Sequence, residues 1–544
     1  MYSEKQQQRS NAIDLSHHIS DYAKSYKVSP LKGLQKYFSR ADMVSFAGGL
    51  PHESVFPFHN VQADVLLPDS FPLTLHNSDS SSPLSWLWRL FGYDPTKEKT
   101  THVHVPKFKS ENDGGMNLAT ALQYGPATGM PATQKFITSF SELVYKPAFA
   151  DWKTIVQTGN TDGWGRCARI LCNPGDTIIA EEWTYPSALA SAAPIHINVL
   201  PVDLDGIGMR PDALREALAN WDESKGRRPH VMYTVPVGQN PSGATMDLQR
   251  KKEIYDICVE YDVIIVEDDP YYFLQMGEYA PKAARQEQAS HDNESFLASL
   301  APSFLSVDTQ GRVIRLDTFS KTIAPGVRLG WCTCAPLFAE RLERVGETST
   351  QSPCGLGQAL VMRLMQEWTI DGYVRWLRGI RVQYAARRDF FIDTISEVFA
   401  LERRACTQGV WAGSDVYTAY ARPRSSMFMS EKSSRKALFE FVPPSSGMFV
   451  WVKLNLAEHP LRLHGAEPGE EEPSLEMQFW TQLAEGGVLA APGWFFSAYV
   501  NEDGAGPDFD REGHLRISFS FASTEEMRKG IKIFEKTLRE FFKV

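Results

Sequence analysis

The sequence predicts an α/β fold, a large domain built on a mostly parallel central sheet flanked by helices and followed by a smaller α+β domain. Between about residues 120 and 335, short β-branched runs (TIIAEE, HVMYTV, VIIVED, RVIRLD) alternate with longer amphipathic stretches. That alternation is the pattern of parallel strands joined by helical crossovers. A helical region runs on to about Ala400, and the chain closes on shorter strands, MFVWVKL and HLRISFS, and a last helix. Length agrees, because 544 residues with 43% hydrophobic content exceed what one core organises.

Taken in order, residues 1–60 form a polar lead and a short amphipathic segment expected to join the smaller domain and reach the ligand site. Gly48-Gly49-Leu50-Pro51 breaks this segment sharply and presents backbone. Residues 61–117, rich in Ser, Pro, Asp and Lys around the aromatic island Trp86 to Phe91, read as a partly disordered insertion. The large domain is expected over 118–400 and the small one over 401–544, with a Ser/Arg-rich stretch at 422–436. The formal charge of -10 is spread along the chain, which argues against nucleic acid and anionic membrane surfaces as partners. Seven cysteines show no metal-ligand spacing; Cys167 and Cys172 fall in one helical stretch, and Cys332 and Cys334 share a strand face. The N-terminus lacks an apolar signal region and no run of about 18 apolar residues occurs. A soluble, cytoplasmic protein is the expectation.

In an open parallel sheet, ligands bind beyond the carboxyl ends of the strands. Four apolar runs deliver reactive residues there: VIIVE leads to Asp268, Asp269, Tyr271 and Tyr272; VMYTV to Asn240; RVIRL to Asp317, Ser320 and Lys321; TIIA to Tyr185. A fifth turn, Thr158-Gly-Asn160-Thr161, opens a helix whose N-terminus suits a phosphate, and Arg328 adds a bidentate cation. An amine nucleophile, a buried carboxylate for a ring nitrogen and donors to a ring oxygen are what pyridoxal phosphate chemistry requires. Lys321, Asp268 and the pair Asn240 and Tyr271 match those needs in turn.

At these residues the chain resembles the class I/II aminotransferases of pyridoxal-phosphate fold type I, and among them the kynurenine/2-aminoadipate and fungal aromatic-amino-acid aminotransferases. The matching strings are SFAGGLP, LQYGPATG, NPGDTIIAEEWTYPSAL, YTVPVGQNPSGATMDLQRKKEIY, VIIVEDDPYYFLQ, LDTFSKTIAPGVRLGW, PSSGMFVWVKL, GVLAAPGWFF and HLRISFSFAS, in unbroken order from about residue 29 to 544 except for the 60–117 insertion and the 405–440 stretch. The resemblance implies that Lys321 forms the imine with the cofactor and moves the substrate proton, and that Asp268 pairs with the pyridine nitrogen. It implies that Asn240 and Tyr271 bond the ring oxygen, that Tyr185 stacks on the ring, and that Asn160, Thr161, Ser320 and Arg328 hold the phosphate. Arg516 is implied to grip the substrate carboxylate, Phe449 to line the side-chain pocket, Gly48 and Gly49 to lie beside the substrate, and Tyr124 to reach the partner's site in a homodimer.

Each residue alone has a plainer reading. A lone lysine is usually a solvated charge, Asp268 and Asp269 are turn formers, Asn240-Pro-Ser-Gly is an ordinary turn, and Arg516 is an ion-pair residue. Tyr185, Tyr124 and Phe449 read as packing residues. His102 and His104 read as exposed strand residues, with no metal expected. Only the joint arrangement carries chemistry. The expected reaction moves an amino group from an aromatic or similarly large L-amino acid to a 2-oxo acid such as 2-oxoglutarate, by ping-pong through pyridoxamine phosphate. A kynurenine/2-aminoadipate-type or secondary-metabolite transaminase, a lyase or synthase on the same scaffold, and a ligand-sensing regulator remain as alternatives.

Overall fold

The computed structural model describes residues 9–28, 42, 46, 49–74, 99–108, 116–285, 292–422, 436–463, 473–499 and 507–544. The first two strands, β1 (Asn60–Leu66) and β2 (Thr100–Pro106), pair antiparallel inside the stretch read as an insertion. His102 and His104 lie exposed on β2, while the island Trp86 to Phe91 falls outside the described residues.

Next come β3 (Lys153–Gln157), β4 (Thr177–Glu181), β5 (Asn198–Val202), a two-residue hairpin of β6 (Leu204–Asp205) and β7 (Gly208–Met209), then β8 (Val231–Thr234), β9 (Ile264–Asp268), β10 (Val313–Thr318) and β11 (Gly330–Cys334). All but the hairpin form one seven-stranded sheet in the order β3-β11-β10-β9-β8-β4-β5. Only β11 runs against the others. The apolar runs read as parallel strands are these strands, and β4, β8, β9 and β11 are buried at every residue because helices cover both faces. A second, antiparallel sheet comprises β12 (Phe399–Ala405), β13 (Asp415–Ala421), β14 (Ala437–Phe441), β15 (Phe449–Asn455), β16 (Ala491–Pro492) and β17 (Glu512–Ser518), in the order β12-β13-β14-β15-β17-β16. Between the sheets runs the helix Gly355–Val398, interrupted at Thr369 (φ 61°). The last helix, Thr524–Phe542, starts from a reciprocal cap between Ser523 and Glu526. Among the described residues no helix is long and apolar enough to cross a membrane.

Residues 10–26 pack on the central-sheet unit. Leu15, Ile19 and Ala23 are buried, Ser20 N–H donates to Ile170 O (2.8 Å) and Ile13 N–H to Gln310 O (3.0 Å). His18, fully buried, lies 3.1 Å from Asp262 and 3.0 Å from His230. Burial lowers its pKa to about 4, so it docks as a neutral ring.

The carboxyl ends of β9 and β10 carry an unusual charge density. Arg315, buried on β10, lies 3.1 Å from Glu267, 3.0 Å from Asp269 and 3.0 Å from Asp317. Its guanidinium sits between the rings of Tyr145 (3.9 Å) and Tyr272 (4.6 Å). Burial outweighs this cation at two of the carboxyls, raising Asp269 to about 7 and Asp317 to about 6.

Replacing Arg315 with Met strands these carboxyls in the core and is expected to lower the unfolding free energy by about 3–5 kcal/mol. A carboxyl whose folded-state pKa lies above its unfolded value gives up stability as pH rises through the folded value. Without Arg315 those values rise further, so the deficit relative to the parent is larger at about pH 8 than at about pH 5.5. Urea unfolding of both proteins at the two pH values checks this, and equal deficits would refute it.

Candidate active site

The alternation of a β-strand separates Asp268 from its neighbours. Glu267 and Asp269 face Arg315, whereas Asp268 points to the opposite face of the sheet. There its Oδ1 accepts from Asn160 Nδ2 (2.7 Å) and its Oδ2 from the Tyr233 hydroxyl (2.7 Å). Both donors are neutral, and among the described residues no cation pairs with this carboxylate. Burial raises its pKa, and the two donors work against that rise.

β10 ends in Thr318, whose side chain accepts from Ser320 N–H (3.1 Å) and so caps the tight turn Phe319–Lys321. This turn presents Lys321 beside the strand ends. Burial, then the nearby Arg516 and Arg328, lowers the Lys321 pKa, and its amine has no hydrogen-bond partner among the described residues. From β3, Gly159 (φ +117°) swings the chain into the helix Asn160–Leu171. A Cβ at Gly159 would lie 2.6 Å from Arg328 Nη2, so glycine is needed for both conformation and space. Arg328 also lies 3.4 Å from Ser320 Oγ.

After β8 the chain turns at residues 236–245, tied by Gln239 N–H to Ala244 O (2.9 Å) and Gln239 Nε2 to Trp183 O (2.6 Å). Gly238 packs so closely on Gly447 that a Cβ there would sit 2.7 Å from the Gly447 nitrogen. This holds buried Asn240 against the second sheet, where its Oδ1 accepts from Arg516 Nη1 (2.9 Å). Arg516, on β17, is sandwiched between Phe449 (4.0 Å) and Phe496 (4.8 Å). Its Nε is buried without a partner, and no carboxylate pairs with it among the described residues. Burial lowers its pKa, opposed by Tyr271 and Tyr185. Burial likewise pushes the Tyr271 phenol up, so it stays protonated as a donor.

These groups surround one cavity of about 460 Å³. Asn160, Thr161, Tyr185, Asn240, Asp268, Tyr271, Ser320, Lys321, Arg328, Phe449 and Arg516 all line it. Gly49 and Tyr124 do not: Gly49 has no atom near its missing side chain, and Tyr124 is 65% exposed on the surface. Gly48 lies outside the described residues.

Asn160, expected at the phosphate, gives its side-chain amide to Asp268 and to Leu316 O (3.0 Å) and so orients the carboxylate. As the first helical residue Asn160 is buried against Asp268, while Thr161 beside it is exposed at the cavity. Tyr233, Thr318 and Ser518 also line the cavity and were not singled out. Tyr233 had a signal: it sits on an otherwise aliphatic buried strand, where a phenol needs an acceptor.

The set fits pyridoxal phosphate. A buried carboxylate lacking a cation suits a protonated ring nitrogen, an unpaired amine suits the aldehyde, and Arg328, Ser320 and a helix N-terminus suit the phosphate. A half-buried guanidinium with no carboxylate partner among the described residues suits a substrate carboxylate.

Comparisons with known proteins agree. Residues 98–409 match the model of the family "Aminotransferase class I and II". An aromatic amino acid aminotransferase of Schizosaccharomyces pombe is 34% identical over 97% of this chain and 98% of its own length. An L-tyrosine:2-oxoglutarate aminotransferase of Tapinella panuoides is 31% identical over 97% of this chain and 96% of its own. The crystal structure of the aminotransferase Aro8 from Candida albicans superposes with a TM-score of 0.80 at 34% identity, covering 98% of this chain and 100% of that one. With its cavity equipped for that cofactor and its sequence matched end to end, the chain belongs to the class I and II aminotransferases, pyridoxal-phosphate-dependent transaminases of fold type I.

Proposed function

We propose that this protein moves the amino group of an aromatic L-amino acid to a 2-oxo acid such as 2-oxoglutarate, as a homodimer with shared active sites. The observation that carries the reading is the meeting of Lys321, Asp268 and Arg516 in one cavity, each without a partner of opposite charge among the described residues. The names of the relatives from Schizosaccharomyces pombe and Tapinella panuoides support the aromatic donor, and the latter name supports 2-oxoglutarate as acceptor. A kynurenine or 2-aminoadipate donor is the secondary reading, supported by the name of a mouse relative at 26% identity.

In this reading Asp268, oriented by Asn160 and Tyr233, holds the ring nitrogen protonated, while Tyr271 and Asn240 donate to the ring oxygen. Arg328, Ser320 and Thr161 seat the phosphate, and Tyr185 covers the ring. When bound, the cofactor supplies an electron sink that makes the substrate Cα proton acidic. Lys321, whose pKa is lowered by burial and by two nearby guanidinium groups, takes that proton in one half-reaction and returns one to Cα in the other. Arg516 grips the α-carboxylate of donor and acceptor alike, its plane set by the rings of Phe449 and Phe496. The exposed ring of Tyr124 supports a second copy packing against that surface. All seven cysteines are free, which suits a reducing compartment such as the cytoplasm.

Adding phenylalanine to the cofactor-loaded protein is expected to shift its absorbance to that of pyridoxamine phosphate. Lys321→Ala should lose that shift, with turnover down by about 10³-fold or more. A variant that still turned over would remove Lys321 from its role, and a parent that converts no amino acid at all would sink the proposal.

Arg516→Gln is expected to reduce kcat/KM for phenylalanine and for 2-oxoglutarate together by about 10- to 100-fold, through loss of a charged, bidentate contact. Steady-state kinetics with each substrate varied in turn checks this. A loss confined to one substrate would contradict a shared carboxylate seat.

A further inference from the structure

Lys321 is followed by Thr322, and Thr322 is held from outside the catalytic cavity. Its carbonyl accepts from the Trp376 indole N–H (2.8 Å), and its hydroxyl lies 2.8 Å from the Tyr373 hydroxyl. Both partners stand on the helix Gly355–Val398, just beyond its interruption at Thr369. They also close a buried aromatic cluster: Tyr373 packs on Phe140 (5.3 Å) and on Phe319 (6.1 Å), the first residue of the lysine turn. None of these residues lines the cavity.

The outer face of Trp376 meets the segment that follows β1. Phe71 packs on it with ring centroids 4.8 Å apart, and Trp368 packs on it at 4.9 Å. The backbone of that segment is fastened as well, since Trp368 Nε1 donates to Leu66 O (2.9 Å) and Arg375 Nη2 to Phe71 O (2.9 Å). Two glycines let the segment approach this closely. A Cβ at Gly379 would lie 2.8 Å from Phe71 Cβ, and one at Gly372 would lie 3.1 Å from Pro68 Cγ. The contacts thus form a chain from residues 66–71 through Trp376 to the residue beside Lys321.

We infer that Trp376 and Phe71 are positioning residues for the Lys321 turn, so that residues 66–71 of the 61–117 insertion brace the reactive amine from behind. The inference rests on the reading of Lys321 as that amine. A backbone carbonyl held by an indole N–H fixes the turn without touching the side chain, which must stay free to move a proton. Small displacements of such a group cost up to about 10²-fold in rate.

The test compares the cofactor-loaded parent with Trp376→Phe, which keeps the ring and removes the donor, and with Phe71→Ala and Phe71→Tyr. Hydrogen exchange of the backbone amides at residues 319–323 is expected to quicken at least about 10-fold in Trp376→Phe. In the same variant kcat should fall by about 10- to 100-fold, with KM for phenylalanine within about two-fold because Arg516 is untouched. Phe71→Ala should move both readouts the same way to a smaller extent, and Phe71→Tyr should restore them. His102→Ala, on an exposed strand of the same insertion, should move neither. Unchanged exchange at 319–323 with unchanged kcat in Trp376→Phe would overturn the brace, as would equal losses in kcat and in folded fraction with no local change in exchange. Lys321→Ala separates the two ideas: if it leaves the absorbance of the bound cofactor and its response to phenylalanine unaltered, the reading of Lys321 falls first.

Discussion

Four carboxylates at the ends of two adjacent strands would repel one another unless a cation lay among them, and Arg315 is that cation. Glu267, Asp269 and Asp317 share it on one side of the sheet, and the rings of Tyr145 and Tyr272 close over its faces. The strand pleat then sends Asp268 to the other side alone. Much of the site depends on this partition. Had a cation stood beside Asp268 as well, its charge would be spent within the protein. Asn160 and Tyr233 instead fix its orientation with neutral hydrogen bonds, which hold a carboxylate without discharging it.

The second sheet completes the cavity through one strand. β17 carries Arg516 to Asn240, and the turn bearing Asn240 is held at the Gly238 and Gly447 contact, where neither residue has room for a side chain. The guanidinium is stacked on both faces, so its free edge has little choice of direction. A carboxylate seat built this way is set by packing between the two sheets, and it inherits whatever rigidity that packing has.

Much of this could be read from the sequence, and the reason is physical. Buried parallel strands need continuous apolar runs, so VIIVE and RVIRL announced themselves, and the residues just past them had to lie at the sheet's carboxyl rim. Side-chain direction is less legible. Asn160 opens a helix beside a phosphate-type turn, and nothing in the sequence says that its amide turns inward to Asp268 instead. Tyr233 was passed over because a single phenol in an apolar strand reads first as packing. The break at Thr369, a β-branched residue at positive φ inside a helical run, has no local signature, since helix propensity gives no warning of it. The contacts of residues 66–71 with Trp368 and Trp376 span about three hundred positions and leave no periodic trace.

The lysine shows how these constraints combine. An amine beside carboxylates is drawn to them, as Lys251 lies 4.0 Å from Glu267. Glu267, Asp269 and Asp317 stay with Arg315 on the far face and Asp268 is held by Asn160 and Tyr233, while Arg516 and Arg328 stand on Lys321's own side. Burial acts in the same direction. Its backbone, by contrast, is pinned at both ends, through Thr318 before the turn and Thr322 after it. An amine of lowered pKa on a fixed turn, with no hydrogen-bond partner among the described residues, is what the distribution of charge around the sheet leaves at that position.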